Sequence, residues 1–258
     1  MILYDAKGQE ITVDITSGGS GELVTKFSGK NIVWLGDSIH AYTQPDGVSI
    51  PYLFEHHSNA KCYNWCQGGT TMALMGIENY DAYSGVGMID ALISRNFSDQ
   101  TSYMVDRGFE NQVAEMKSLD FSTVDIVIIE FGTNDALKNV PLDNADDIFD
   151  THTTGGALRY MLKLLLTTYP NINVVVCNVQ PHSGWLDAEH TKSYNTSEQT
   201  EVINNICDEY NIPLIDIYNE LGLNEYTSKA LLHDGLHRNH EGKLKQVRLI
   251  ENKMIHYF

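Results

Sequence analysis

The chain has 258 residues, 42% of them apolar, enough to bury a substantial core and ordinary for a globular α/β domain. It carries 34 acidic against 17 basic side chains, a net charge of −17, which opposes binding to phosphate backbones and to anionic lipid, so neither nucleic acid nor a membrane is an expected partner. No run approaches the roughly 18 consecutive apolar residues of a membrane span, and Met1-Ile2-Leu3-Tyr4-Asp5 lacks the basic and apolar stretches of a signal peptide. A cytoplasmic location or a place in a virion or extracellular assembly is the expectation.

In chain order, residues 1–30 differ from the rest. Two short β-like runs, 2–5 and 10–15, flank Ala6-Lys7-Gly8-Gln9 as in a hairpin. Ser17-Gly18-Gly19-Ser20-Gly21 then has flexible-linker composition. This N-terminal piece is either an edge hairpin of the main domain or a tether through which the chain forms a homo-oligomer or joins a larger assembly.

Residues 31–258 alternate strand and helix. The spacing predicts strands at 32–35, 61–66, 126–131, 173–179 and 213–217, and helices at 87–93, 109–119, 155–168, 196–210 and 241–255. Three of the strands are near-continuous apolar runs, as strands covered by helices on both faces require. The expected fold is therefore a three-layer α/β/α sandwich around a five-stranded, parallel, doubly wound sheet of flavodoxin-like type. In such sheets the site lies beyond the carboxyl ends of the strands.

Three polar clusters fall at those ends. Gly36-Asp37-Ser38 follows the first strand, where a serine on a tight turn can expose its hydroxyl and its own N–H to one reacting carbonyl. The competing reading is a serine that merely caps a helix. Asn134, in Gly132-Thr133-Asn134-Asp135 after the third strand, offers a carboxamide donor for a developing oxyanion, or else sits in an ordinary turn. Asp234 and His237 supply an orienting carboxylate and a base whose ordinary pKa is near neutrality. Asn239 reads as the N-cap of the last helix. Zinc ligation by His233, His237 and His240 is the rival, opposed by Gly235 and that cap, so no metal is expected.

The loop after the second strand, Asn64-Trp65-Cys66-Gln67-Gly68-Gly69, could add backbone N–H donors, but it matches no phosphate-binding spacing, and no cofactor is expected. Cys62 and Cys66 are too far apart on a straight strand to pair, and Cys177 and Cys207 lie in apolar runs.

Taken together and in this order, the clusters resemble the SGNH hydrolase superfamily, also called GDSL-like lipases and esterases, over residues 31–258. The first block is matched by Gly36-Asp37-Ser38, the third by Gly132-Thr133-Asn134-Asp135, and the fifth by Asp234 through Gly242. In the second, Asn-x-Gly-x-x-Gly, Cys66 stands where the resemblance places a glycine whose N–H enters the oxyanion hole, and Gly69 matches the second glycine.

The resemblance implies a serine esterase with Ser38 as nucleophile, His237 as base and Asp234 as its partner. Ser38, Cys66 and Asn134 would form the oxyanion hole, with Asp37, Gly69, His182 and Trp185 as substrate-binding candidates. Many relatives remove O-acetyl groups from carbohydrates. The Tyr- and Gly-rich stretch 70–107, with Tyr80, Tyr83 and Tyr103, could stack on a sugar or simply anchor its loop. A lysophospholipase or thioesterase, and a non-catalytic glycan-binding or assembly module, are the alternative expectations.

Overall fold

A computed structural model describes residues 2–4, 10–12, 25–181 and 196–258. Near the N-terminus, β1 (Ile2–Tyr4) pairs antiparallel with β2 (Glu10–Thr12), Leu3 opposite Ile11. The Gly/Ser run 17–21 lies outside the described residues.

The main sheet holds β3 (Asn31–Gly36), β4 (Lys61–Asn64), β5 (Ile126–Glu130), β6 (Asn173–Cys177) and β7 (Leu214–Ile215), all parallel, in the order β4-β3-β5-β6-β7. The connecting helices are α1 (Ser38–Ala41), α2 (Ile50–Ser58), α3 (Glu78–Asp81), α4 (Gly85–Ser94), α5 (Ser98–Arg107) and α6 (Glu110–Ser118). They continue with α7 (Thr133–Leu137), α8 (Thr154–Thr168), α9 (Ser197–Tyr210), α10 (Ile217–Glu220), α11 (Ser228–Leu231) and α12 (His240–Tyr257). This is the expected doubly wound α/β architecture.

Strand side chains alternate between the two sheet faces, and here both faces are buried. Ile32 and Trp34 of β3, with Ile126 and Ile128 of β5, pack under Phe54 of α2 and Val247, Ile250 and Met254 of α12. Val33, Leu35, Val127 and Ile129 face the other way, against Ile89 of α4, Leu158, Met161 and Leu162 of α8, and Ile203 of α9. A strand buried on both sides gains nothing from polar alternation, which is why β5 reads as an apolar run up to its last residue, Glu130. Chain order reverses at β3, whose neighbours are β4 on one side and β5 on the other. In sheets of this topology the site lies beyond the carboxyl ends of the strands that flank the reversal, here β3 and β5.

Element ends differ from expectation for local reasons. β4 stops at Asn64, whose side-chain Oδ1 accepts the Cys66 N–H at 3.2 Å and turns the chain. β7 is cut to two residues because Asp216 caps α10, accepting the Asn219 N–H at 3.1 Å. Helices α2 and α5 both lie outside the expected set, although Ser49 caps α2 and Pro51 sits in its first turn.

Candidate active site

The site begins at Gly36, where β3 runs beside Glu130 of β5. A Cβ on Gly36 would stand 2.6 Å from the Glu130 carbonyl oxygen, so only glycine lets the strands approach here. Asp37 then caps α1, its Oδ1 accepting the Ile39 N–H at 2.8 Å. Ser38 is thus the first residue of the helix rather than its cap, and its hydroxyl is free for another partner. That partner is His237, whose Nε2 lies 2.9 Å from Ser38 Oγ.

The His237 loop is closed by a β-bridge between Leu232 and Arg238 and by the His233 N–H donating to the His237 carbonyl at 2.7 Å. Asp234 Oδ1 accepts the backbone N–H groups of Leu236, at 3.1 Å, and His237, at 2.7 Å. Its Oδ2 lies 2.7 Å from His237 Nδ1. A carboxylate can only accept, so Nδ1 carries the proton and Nε2 presents a lone pair to the serine. Burial works to raise the Asp234 carboxyl, but the hydrogen bonds from the His237 ring and backbone outweigh it and hold it below the usual range.

Tyr42 stacks on the imidazole, ring centroids 4.0 Å apart and 15° from parallel. Residue-type reading missed it, yet Tyr42 follows Ser38 by four residues, one helical turn, and that spacing was the available signal.

Asn134 arrives from β5 through Gly132, whose φ of 120° a side chain rarely adopts. Its Nδ2 donates to Asp37 Oδ2 at 3.3 Å. An amide nitrogen has a second hydrogen, which remains for a ligand. Next to it, buried Asp135 accepts the Met72 and Ala73 N–H groups at 2.9 and 3.1 Å, fastening the loop after β4 to α7. Burial pushes Asp135 up to about 6, against those two bonds. Asp37 is pushed up to about 8, again by burial, with the Ile39 bond opposing.

Two expectations need correction. The Cys66 N–H is given to Asn64, and Cys66 itself is buried with its Sγ against Gly36, so it is not a free oxyanion donor. In that loop Gly68 lies beside the nucleophile, where a Cβ would lie 3.8 Å from Ser38 Cβ. Among the described residues, the N–H groups of Ser38 and Gly69 have no hydrogen-bond partner. Asp37 is 1% exposed and shapes the turn; it cannot touch substrate.

His182 and Trp185 lie outside the described residues. Tyr83 is a buried anchor donating to the Gln100 carbonyl at 2.6 Å, and Tyr103 donates to Glu78 at 2.7 Å. The three histidines of the zinc alternative do not converge: His237 faces Ser38, while His240 sits 2.5 Å from Asp46 and His233 lies beside Tyr42.

A second polar cluster lies buried behind the turn. Glu130 pairs with His40, accepts from Gln246 at 2.8 Å, and feels the buried Arg238 guanidinium. Burial would raise Glu130, but His40 and Arg238 pull it below the ordinary range. Cys177 adjoins the pair, giving the one metal-compatible grouping among the described residues. The charge of Arg238 at its side opposes a cation.

A hydroxyl, an imidazole and a carboxylate in hydrogen-bond series at the carboxyl edge of a parallel sheet form the layout of a serine hydrolase. The GDSL-like lipase/acylhydrolase family model matches residues 35–244. The chain belongs to that family, within the SGNH hydrolase superfamily, and is a carboxylic ester hydrolase. Solved structures share its fold. A protein from Lactobacillus plantarum superposes with a TM-score of 0.67 at 19% identity, over 90% of this chain and 99% of the other. A lipase/acylhydrolase from Enterococcus faecalis gives 0.52 at 19%, over 87% and 95%. A GDSL-like lipase from Bacteroides thetaiotaomicron gives 0.53 at 17%, over 89% of each. No curated protein sequence matches the chain.

Proposed function

We propose that the chain is a serine esterase that removes short acyl groups, O-acetyl above all, from a carbohydrate, using Ser38, His237 and Asp234 as a catalytic triad. The supporting observation is the unbroken series Ser38 Oγ, His237 Nε2, His237 Nδ1, Asp234 Oδ2, at 2.9 and 2.7 Å.

In the first half-reaction Ser38 Oγ attacks the ester carbonyl as its proton passes to His237 Nε2. Asp234 stabilises the imidazolium that forms. The carbonyl oxygen gains negative charge, which the Ser38 N–H, a backbone N–H of the Gly68-Gly69 loop and the spare hydrogen of Asn134 stabilise. Collapse breaks the ester C–O bond, and His237 returns the proton to the departing alkoxide. Water then repeats the sequence on the acyl-serine, freeing acid and serine.

A short acyl group is supported by the described surroundings of Ser38: His237 and the Gly68 backbone beside it, Tyr42 stacked on the imidazole and Asn134 bonded to neighbouring Asp37, a polar and aromatic set. The test is hydrolysis of p-nitrophenyl acetate against the octanoate, with acetate release from an O-acetylated polysaccharide. Acetate preferred by at least about tenfold is the expected result. Preference for octanoate would favour the lysophospholipase or thioesterase alternative, and no turnover of any ester would favour a binding module.

A further inference from the structure

The chain is strongly acidic, yet two cations meet at the loop beside the nucleophile. Arg107 Nη2 donates to the Gly68 carbonyl at 3.2 Å, and Lys138 Nζ to the Gly69 carbonyl at 2.9 Å. Both lie over the Tyr80 ring, Lys138 at 4.0 Å and Arg107 at 5.2 Å from its centroid. Lys30, Lys61, Arg159, Lys243 and Lys253 all pair with carboxylates. Among the described residues, Arg107 and Lys138 form no such pair. Each carries more donors than its one carbonyl uses, and Arg107 Nε is buried without a partner.

Two like charges held together, with buried Asp135 pulling on Lys138 alone, leave an excess of positive charge that an arriving anion relieves. Burial depresses the Lys138 ammonium, and Arg107 adds to that against the pull of Asp135. The tie between this pair and the reacting centre is short: Gly68 flanks Ser38, and Arg107 and Lys138 hold the carbonyls of Gly68 and Gly69.

We infer that Arg107 and Lys138 form an anion subsite that selects esters whose alcohol half carries a fixed negative charge, as in a carboxylated, sulfated or phosphorylated sugar. This rests on the reading of Ser38 as nucleophile for a short acyl group, since an acetyl has no room for the charge and leaves it to the alcohol. Tyr80, whose ring both cations overlie, helps to hold the pair beside the loop.

The test compares 4-acetoxybenzenesulfonate with the neutral 4-acetoxybenzenesulfonamide at low ionic strength. The native enzyme should favour the sulfonate in kcat/KM by about tenfold. That ratio should fall toward one in Lys138→Gln and Arg107→Gln and in high salt, and survive in Arg107→Lys. A native ratio at or below one, or a preference that both glutamine variants retain, would overturn the subsite. If neither ester is cleaved, the esterase reading fails for such esters and calorimetric binding of 4-hydroxybenzenesulfonate decides instead. Saturable binding weakened about tenfold by Lys138→Gln supports the subsite, and no binding overturns it.

Discussion

His237 is useful because its two ring nitrogens have different partners. Asp234 fixes the proton on Nδ1, and only then is Nε2 a base for Ser38. Asp234→Asn would offer an amide hydrogen to Nδ1 and invert the tautomer, so kcat should drop by about 10⁴ with the fold intact by circular dichroism. Asn134 acts later, when charge builds on the carbonyl oxygen. For Asn134→Ala, steady-state kinetics should show kcat lowered about 10²- to 10³-fold with KM little changed. Equal losses in binding and turnover would instead place Asn134 in the structural hydrogen bond to Asp37.

At the scale of elements, the site depends on how closely β3 and β5 approach. Gly36→Ala should lower stability by about 1–3 kcal/mol in denaturant melts, because its methyl group would meet the Glu130 carbonyl at 2.6 Å. Spreading the strands also separates Ser38 from Asn134, so activity should fall with stability. These two strands were the most legible part of the sequence: their apolar runs, closed by Gly-Asp-Ser and Gly-Thr-Asn-Asp, place Ser38 and Asn134 at the strand ends. The loop after β4 was not legible in that way. Whether Cys66 or a later residue offers its N–H depends on a single side chain, Asn64, capturing one of them. Arg107 and Tyr42 were hidden for different reasons. Arg107 reaches the loop from the end of α5, 39 residues from Gly68, and only tertiary packing brings them together. Tyr42 was readable only once Ser38 was known to begin a helix.

The whole molecule accommodates buried carboxyl groups beneath its reacting edge, and this should appear in its pH response. Asp37 titrates at about 8 in the folded state and Asp135 at about 6, against 3.8 for an ordinary aspartate. The folded protein therefore holds protons that the unfolded chain releases. Their stabilisation is complete below about pH 4 and is lost as the pH rises toward 6 for Asp135 and 8 for Asp37. Thermal melts should show stability declining across that window, and the acidic surface repels itself more as it ionises. Asp37→Asn, subtracted from the native curve, isolates the buried group: between pH 4 and 8 the decline should lessen by on the order of 1 kcal/mol per pH unit. Unchanged slopes would mean that Asp37 is ionised in the folded state.

The most direct test of Ser38 as an activated nucleophile is the intact mass of the protein after exposure to a fluorophosphonate, for the native chain and for Ser38→Ala. One phosphonyl adduct on the native chain and none on the variant is the expected result. An adduct on both, or on neither, would contradict the assignment of Ser38, His237 and Asp234 as a working triad.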